Sequence, residues 1–428
     1  MYWEIVQKGP GGKPAFCWLY EADPQKTRSM FPLSRNLSVA LRQMAQQEEG
    51  AFLLSETEME KREKDLSGRE GRDLLEGLSR EGVELIKKGR GFGVNIRSRD
   101  NQTLLEKGFP LMQKKKKTVH IMALGDVGAT LLMGLRLLGG GVIDEIGIWD
   151  MREPVCGYWE REMNQISPPF SYDALPPVRA VSFQALFDCD VFLFCASKGV
   201  PALGSRAEDV RMVQLSANAE LVGRYARMAR ETGFEGLFGV VSDPVDPLCR
   251  VALERSNQDQ QGRWDGKGLY PHQIQGFGLG VMNARAAYYA KKDPRFSSFL
   301  TQGRAFGPHG EDLVIANSIE AYDDALSREL TQLAKRANQE IRAMGFKPYV
   351  APALSSGALS VISALSGQWH YGSVFLGGVF IGVNHRLTWA GPEPEALPLP
   401  QALLERILTA EKGLHRLIGR EEAEDGSI

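Results

Sequence analysis
The chain has 428 residues, 43% hydrophobic and 24% charged, with a formal net charge of -2. That length allows a large core in about two or three domains, and the near-neutral balance excludes a basic field that would recruit nucleic acid. The five cysteines (Cys17, Cys156, Cys189, Cys195, Cys249) are scattered and odd in number, with no CxxC pair; this excludes a disulfide framework and a zinc knuckle and fits a reducing cytoplasm.

The first residues, "MYWEIVQKGP", carry no signal-peptide apolar stretch, and the chain has no apolar run of about 18 residues. The expectation is a cytoplasmic protein without membrane contact. Residues 1–112 read as a separate small α+β module. "YWEIV" and "AFCWLY" around "QKGPGGKP" predict a β-hairpin, and "LSVALRQMAQQEEGAFLL" and "GRDLLEGLSREGVELIKK" predict amphipathic helices. The charged "SETEMEKREKDLSGREGR" between them reads as an exposed helix or a mobile connection. No chemical motif occurs in this module. Residues 113–117, within "QKKKKT", read as a solvated linker, since one short lysine run in a near-neutral chain is a poor nucleic-acid patch.

From 118 to 273 the pattern is strand, glycine turn, helix, strand. "TVHIMAL", "IDEIGIWD", "CDVFLFCAS" and "EGLFGVVSD" are apolar strands alternating with helices, as in a parallel sheet covered on both faces. Residues 274–420 read as an α+β domain. It holds a long helix "SIEAYDDALSRELTQLAKRANQEIRAMG", strands "SVFLGGVFIGV" and "HRLTWAG", and a closing helix "PQALLERILTAEKGLHRLIG". The acidic tail, residues 421–428, reads as disordered. The predicted fold class is α/β: a Rossmann-type doubly wound parallel sheet, then an α+β substrate domain, with the small α+β module in front.

The turn "MALGDVGAT" fits G-x-G-x-x-G with Ala123 in place of the first glycine, followed by Gly125 and Gly128. In that pattern the first position makes a tight turn, the second admits the pyrophosphate, and the third lets helix and strand pack closely. Asp126 and Val127 open the helix, whose free N–H groups favour phosphate. The next strand ends in Asp150, where an acid accepts hydrogen bonds from ribose hydroxyls and repels a 2′-phosphate. The strand–turn–helix context favours a dinucleotide site over a plain turn, and NAD over NADP.

Four later segments resemble the lactate/malate dehydrogenase family. "VVSDPVDPLCRVAL" is similar to its strand ending S-N-P-V-D, and "QGFGLGVMNARAAYY" to its G-x-G-x-x-L-D-x-x-R segment. "GPHGED" is similar to its histidine loop, and "SVFLGGVFIGVNHRL" with the final helix to its C-terminal strand pair and closing helix. The similarity covers about residues 118–420, and 24 residues separate Arg285 from His309, the family's spacing. The resemblance implies NAD as cofactor and a 2-hydroxy or 2-oxo acid as small-molecule substrate. It also implies a homodimer or homotetramer. His309, which alone reads as a turn residue between proline and glycine, becomes the acid–base that exchanges the hydroxyl proton. Arg285 becomes the bidentate clamp for the substrate carboxylate. A mobile loop, "SKGVPALGSRAEDVRMVQLSAN", would bring Arg211 to the substrate carbonyl and Arg206 to a distal carboxylate. A small insertion leaves these two roles exchangeable, and both arginines also read as exposed helix-start residues. Ser355, in "APALSSGALS", matches a substrate-side serine of the malate enzymes, although a structural role is the more economical reading.

Two positions depart from the family. Met282 stands where an aspartate orients the histidine, and a thioether cannot replace a carboxylate. Asp243 stands where the family has asparagine, at a strand's carboxyl end beside nicotinamide and substrate. One expectation is that Asp243 compensates by supplying charge to His309 from another direction; the rival is that it repels an anionic substrate. The leading function is an NAD-dependent 2-hydroxy-acid dehydrogenase. The alternatives are a catalytically altered NAD(H)-binding sensor or scaffold, and a dehydrogenase for a different hydroxylated substrate.

Overall fold
Short runs of valine, isoleucine, leucine and phenylalanine, each ending in small residues, build the central strands. The computed structural model describes residues 2–8, 14–21, 59–64, 79–87, 91–95, 110–198, 207–263, 267–376, 379–388, 391–395 and 397–425. β1 (Tyr2–Lys8) and β2 (Pro14–Glu21) form the antiparallel hairpin expected around the Gly/Pro turn. β3 (Met59–Lys64) adds to the outer side of β1, and β4 (Gly91–Asn95) runs parallel to β2. β3 corrects the expectation of a helix or connection there. Its sequence, MEKREK, has no apolar alternation, and as a charged edge strand it closes the sheet to further pairing. α1 (Arg80–Lys87) supplies the second half of one expected helix; the other, in "LSVALRQMAQQEEGAFLL", lies outside the described residues.

The main sheet begins at β5 (Lys117–Met122), followed by α2 (Asp126–Leu138), β6 (Ile143–Trp149), α3 (Glu153–Asn164), β7 (Val178–Ala180) and β8 (Val191–Phe194). α4 (Ala207–Glu231), β9 (Leu237–Val240), α5 (Val245–Ser256) and β10 (Ile274–Gly276) complete its parallel part. The order β10-β9-β8-β5-β6-β7 is all parallel, the doubly wound arrangement in which the winding reverses between β5 and β8. One core layer packs Leu131 and Leu135 of α2 on the sheet; the other packs Tyr225 and Ala226 of α4 with Leu248 and Ala252 of α5. α4 corrects the second part of the loop expected over residues 197–218, which is helical from Ala207; residues 199–206 lie outside the described residues. Residues 207–222 hold neither glycine nor proline, and Glu208 and Asp209 suit a helix N-terminus.

Next come α6 (Leu279–Ala290), the short α7 (Phe299–Gln302), a small hairpin of β11 (Arg304–Phe306) with β12 (Val314–Ala316), and α8 (Asp324–Ala343). α8 starts six residues later than the sequence pattern predicts, because Asp323 caps it by accepting from Leu326 N at 2.9 Å. A π-helical turn, Pro352–Leu359, leads into α9 (Ser360–Leu365). β13 (His370–Leu376), β14 (Val379–Thr388) and β15 (Gly391–Pro394) add antiparallel strands beyond β10, so the sheet continues across position 273. "SVFLGGVFIGV" is therefore two strands of a hairpin and not one: Leu376 faces Val379 across the paired glycines. α10 (Gln401–Asp425) takes in most of the acidic tail expected to be disordered. Glutamate and alanine suit the helix as far as Asp425. Among the described residues no helix is long and apolar enough to cross a membrane.

Where β10 meets β13, the buried Gln275 amide lies between Nε2 of His370 and Nε2 of His385. Each ring's Nδ1 faces a backbone carbonyl, Gln368 O at 2.9 Å and Val383 O at 3.2 Å. Both rings therefore fit as neutral imidazoles that accept the two amide N–H groups. Burial pushes His370 down to about 4 and His385 well below its ordinary value, the latter helped by the neighbouring His370. The unfolded chain takes up these protons below about pH 6.5 while the folded one refuses them. Stability is thus complete above that pH and falls as pH drops towards 4, by about 3 kcal/mol from His370 alone. Guanidinium unfolding at a series of pH values should show this fall, with a flatter dependence in His370→Gln. An identical slope in the variant would contradict it.

Candidate active site
The site begins at the carboxyl end of β5. A Cβ on Gly128 would lie 2.0 Å from Ala123 O, so only glycine lets α2 approach the turn so closely. At Gly125, the N-cap of α2, a Cβ would meet nothing within 4 Å: the backbone there faces open space. Ala123 takes φ 74°, a left-handed conformation costing an alanine about 1–2 kcal/mol, so the first position retains its tight turn without its glycine. Asp150 reaches back from the end of β6, accepting from Leu124 N at 2.9 Å and Arg152 N at 3.0 Å. These two bonds leave it further acceptor capacity. Asp126 pairs with Lys347 at 3.0 Å on the surface, and Val127 is half-buried. An open glycine, a free helix N-terminus and an acid at the next strand end fit the diphosphate and ribose of a dinucleotide.

The ends of β8 and β9 are tied together. Ser242 Oγ donates to Ala196 O at 2.6 Å. Fully buried Asn218 of α4 donates to Asp243 O at 2.7 Å and accepts from Lys198 N at 2.8 Å. The Asp243–Pro244 peptide is cis, and α5 follows it directly.

His309 lies in the turn of the β11–β12 hairpin. Gly307, at φ 86°, bends the chain, and its N–H donates to Gly382 O of β14 at 2.9 Å. His309 N donates to Asp246 Oδ2 at 3.2 Å, while Asp246 Oδ1 accepts from Ser373 Oγ of β13 at 2.6 Å. Gly278 makes room for the ring, since a Cβ there would stand 3.1 Å from His309 Cβ. The imidazole Nδ1 then lies 3.0 Å from Asp243 Oδ1. Burial lowers the His309 pKa and Arg285 adds to that. The carboxylates of Asp243 and Asp246 outweigh both, and the net pKa stands above 6.5. Burial raises the Asp246 carboxyl above its ordinary value, although Ser373 and the His309 N–H pull the other way.

Arg285 projects from α6 into the same charged cluster, its pKa lowered chiefly by burial, with Tyr289 and Asp243 opposing. Its guanidinium donates to Met282 Sδ at 3.3 Å and to Asn338 Oδ1 of α8. Met282 is buried and thus supports the arginine, not the histidine. Ser355 is half-buried. Its neighbour Ser356 instead anchors α6, donating to Gly278 O at 2.6 Å and accepting from Val281 N at 2.8 Å. Arg206 lies outside the described residues; Arg211 falls on α4, and its side chain is not among those described. Sequence reasoning did not single out Asp246, Ser373, Asn338 or Ser356, and took Asn218 only as the end of the loop from which Arg211 is placed. Only Asp246 had a signal, as the last acid of "SDPVD".

No protein-family profile matches the chain. The L-lactate dehydrogenase of Staphylococcus epidermidis is 23% identical over 293 residues, covering 62% of this chain and 86% of the relative. That of Treponema denticola is 26% identical over 200 residues, covering 47% and 57%. Among solved structures, the minor L-lactate dehydrogenase of Enterococcus mundtii aligns with TM-score 0.57 at 18% identity, covering 72% of this chain and 99% of its own. The malate dehydrogenase of Picrophilus torridus aligns with TM-score 0.57 at 16% identity, covering 72% and 98%.

Proposed function
We propose that this chain, a divergent relative of the lactate and malate dehydrogenases, is an oxidoreductase acting on a 2-hydroxy or 2-oxo acid with NAD. The His309–Asp243 contact of 3.0 Å carries this reading, because it supplies the acid that Met282 cannot. Gly125, Gly128, the backbone of Asp126 and Val127, and Asp150 would hold NAD, with Asp243 at its nicotinamide end. When bound, NAD accepts or supplies the hydride.

The protein's own groups handle the rest. With Nδ1–H donated to Asp243, Nε2 of His309 is the position free to take or return the substrate's hydroxyl proton. Asp243 stabilises the imidazolium that forms, and Asp246 fixes the backbone beneath it. Arg285 keeps N–H donors beyond those given to Met282 and Asn338, enough to grip a carboxylate. Arg211 and Arg206 are assigned to the substrate carbonyl and a distal carboxylate, in either order, and Ser355 to the substrate's edge. A homodimer or homotetramer in the cytoplasm belongs to the same reading.

The test is NADH oxidation across a panel of 2-oxo acids, with turnover on at least one expected. NADH binding without turnover on any would favour the second reading, a cofactor-binding sensor, for which Met282 at the usual acid's position is the supporting observation.

Asp243→Asn gives a sharper check. Oxidation of the hydroxy acid needs neutral His309, so its rate rises with pH through the His309 pKa, which Asp243 holds up. Without that charge the acidic limb should move to lower pH, and kcat should fall by about tenfold to a hundredfold. An unmoved limb would mean that Asp243 does not act on His309.

A further inference from the structure
Asp243 brings a formal negative charge to the carboxyl end of β9, and its side chain is 54% exposed although it meets His309 at 3.0 Å. In an open α/β sheet, ligands occupy the crevice outside the strands' carboxyl ends. Asp243 therefore faces the crevice and is not sealed in the core. If His309 exchanges the hydroxyl proton, the carbon bearing that hydroxyl lies within reach of its Nε2. The carbon that gives or takes the hydride must in turn lie against it. The nicotinamide ring is thus confined to the neighbourhood of the imidazole whose other nitrogen meets Asp243. That ring carries a positive charge when oxidised and none when reduced.

We infer that the Asp243 carboxylate discriminates between the two redox forms of the cofactor, favouring the oxidised, cationic nicotinamide over the reduced, neutral one. The inference rests on the function proposed above. Two cations share the site, His309 when protonated and Arg285, and both oppose the preference. Arg285 is present whichever form binds, and above the His309 pKa the imidazole is neutral with either residue at 243, so there the exchange removes one negative charge alone. A neutral asparagine keeps the shape and a hydrogen-bond acceptor, so the exchange isolates charge. In a partly hydrated site one unit charge changes the affinity for a nearby cation on the order of tenfold.

The experiment measures equilibrium binding of NADH, by its fluorescence, and of NAD+, by competition, to the full chain at one fixed pH above the His309 pKa of the wild type. Asp243→Asn should raise the NAD+ dissociation constant on the order of tenfold and leave that of NADH within about twofold. Asp243→Glu, which retains the charge, should keep the wild-type ratio. Equal changes for both cofactor forms, no change in either, or loss of the preference in Asp243→Glu would overturn the inference. A wild-type chain that binds neither NADH nor NAD+ would instead overturn the dehydrogenase reading, and this inference with it.

Discussion

Replacing His309 with asparagine is expected to lower kcat on any accepted 2-oxo acid by on the order of a thousandfold, while NADH binding stays within about twofold. The residue's structural contact is made by its backbone, whose N–H donates to Asp246 Oδ2, and that bond survives the exchange. The asparagine amide can also still face Asp243. Only the titrating nitrogen disappears, so the loss belongs to proton transfer. Thermal unfolding should move little, and the pH dependence assigned to the imidazole should vanish from what rate remains. Near-normal turnover in the variant would remove His309 from the chemistry.

The second large effect separates two glycines three residues apart. Gly128→Ala sets a Cβ 2.0 Å from Ala123 O, a clash between backbone and Cβ that no rotamer can relieve. α2 must withdraw from the turn, loosening Leu131 and Leu135 in the core. A destabilisation of about 4 kcal/mol is expected, in the range reserved for overpacking with backbone displacement. Gly125→Ala meets nothing within 4 Å and should change stability by less than about 1 kcal/mol. It should still weaken NADH binding by roughly tenfold or more, because the methyl group fills the open face where backbone must approach the diphosphate. Denaturant unfolding and NADH titration of both variants test the pair. Normal NADH affinity in Gly125→Ala would move the nucleotide away from this turn.

The parallel strands were legible because burial on both faces writes continuous apolar runs, as in "VFLF" of β8 and "LFGV" of β9. Arg285 and His309 were legible as residue types at a known spacing, and Asp243 as an acid appearing at a strand end where another was missing. Its contact with Nδ1 is set by the fold and not by local pattern. Ser373 reaches Asp246 across 127 positions, and Asn338 reaches Arg285 across 53, so neither leaves a trace in its own neighbourhood. The misread elements have separate causes. β3 is charged and takes its state from pairing with β1, "FLGGVF" holds a Gly-Gly turn signal inside an apolar run that otherwise reads as continuous, and α10 continues into residues whose polarity suits solvent as well as helix.

The acid at position 243 also alters how the site can evolve. An acid at 282 would share one face of α6 with Arg285, so any change that tilts the helix to suit a new substrate would drag the histidine's partner with it. Here the partner stands on the β9 loop, held by Asn218, while Arg285 is braced by Met282 and Asn338. In the proposed dehydrogenase, substrate grip and proton handling would thus sit on separate mechanical parts. On that proposal, substitutions along α6 and α8 would retune which acid is held while the imidazole keeps its alignment, an arrangement that lends itself to changing specificity by selection or by design.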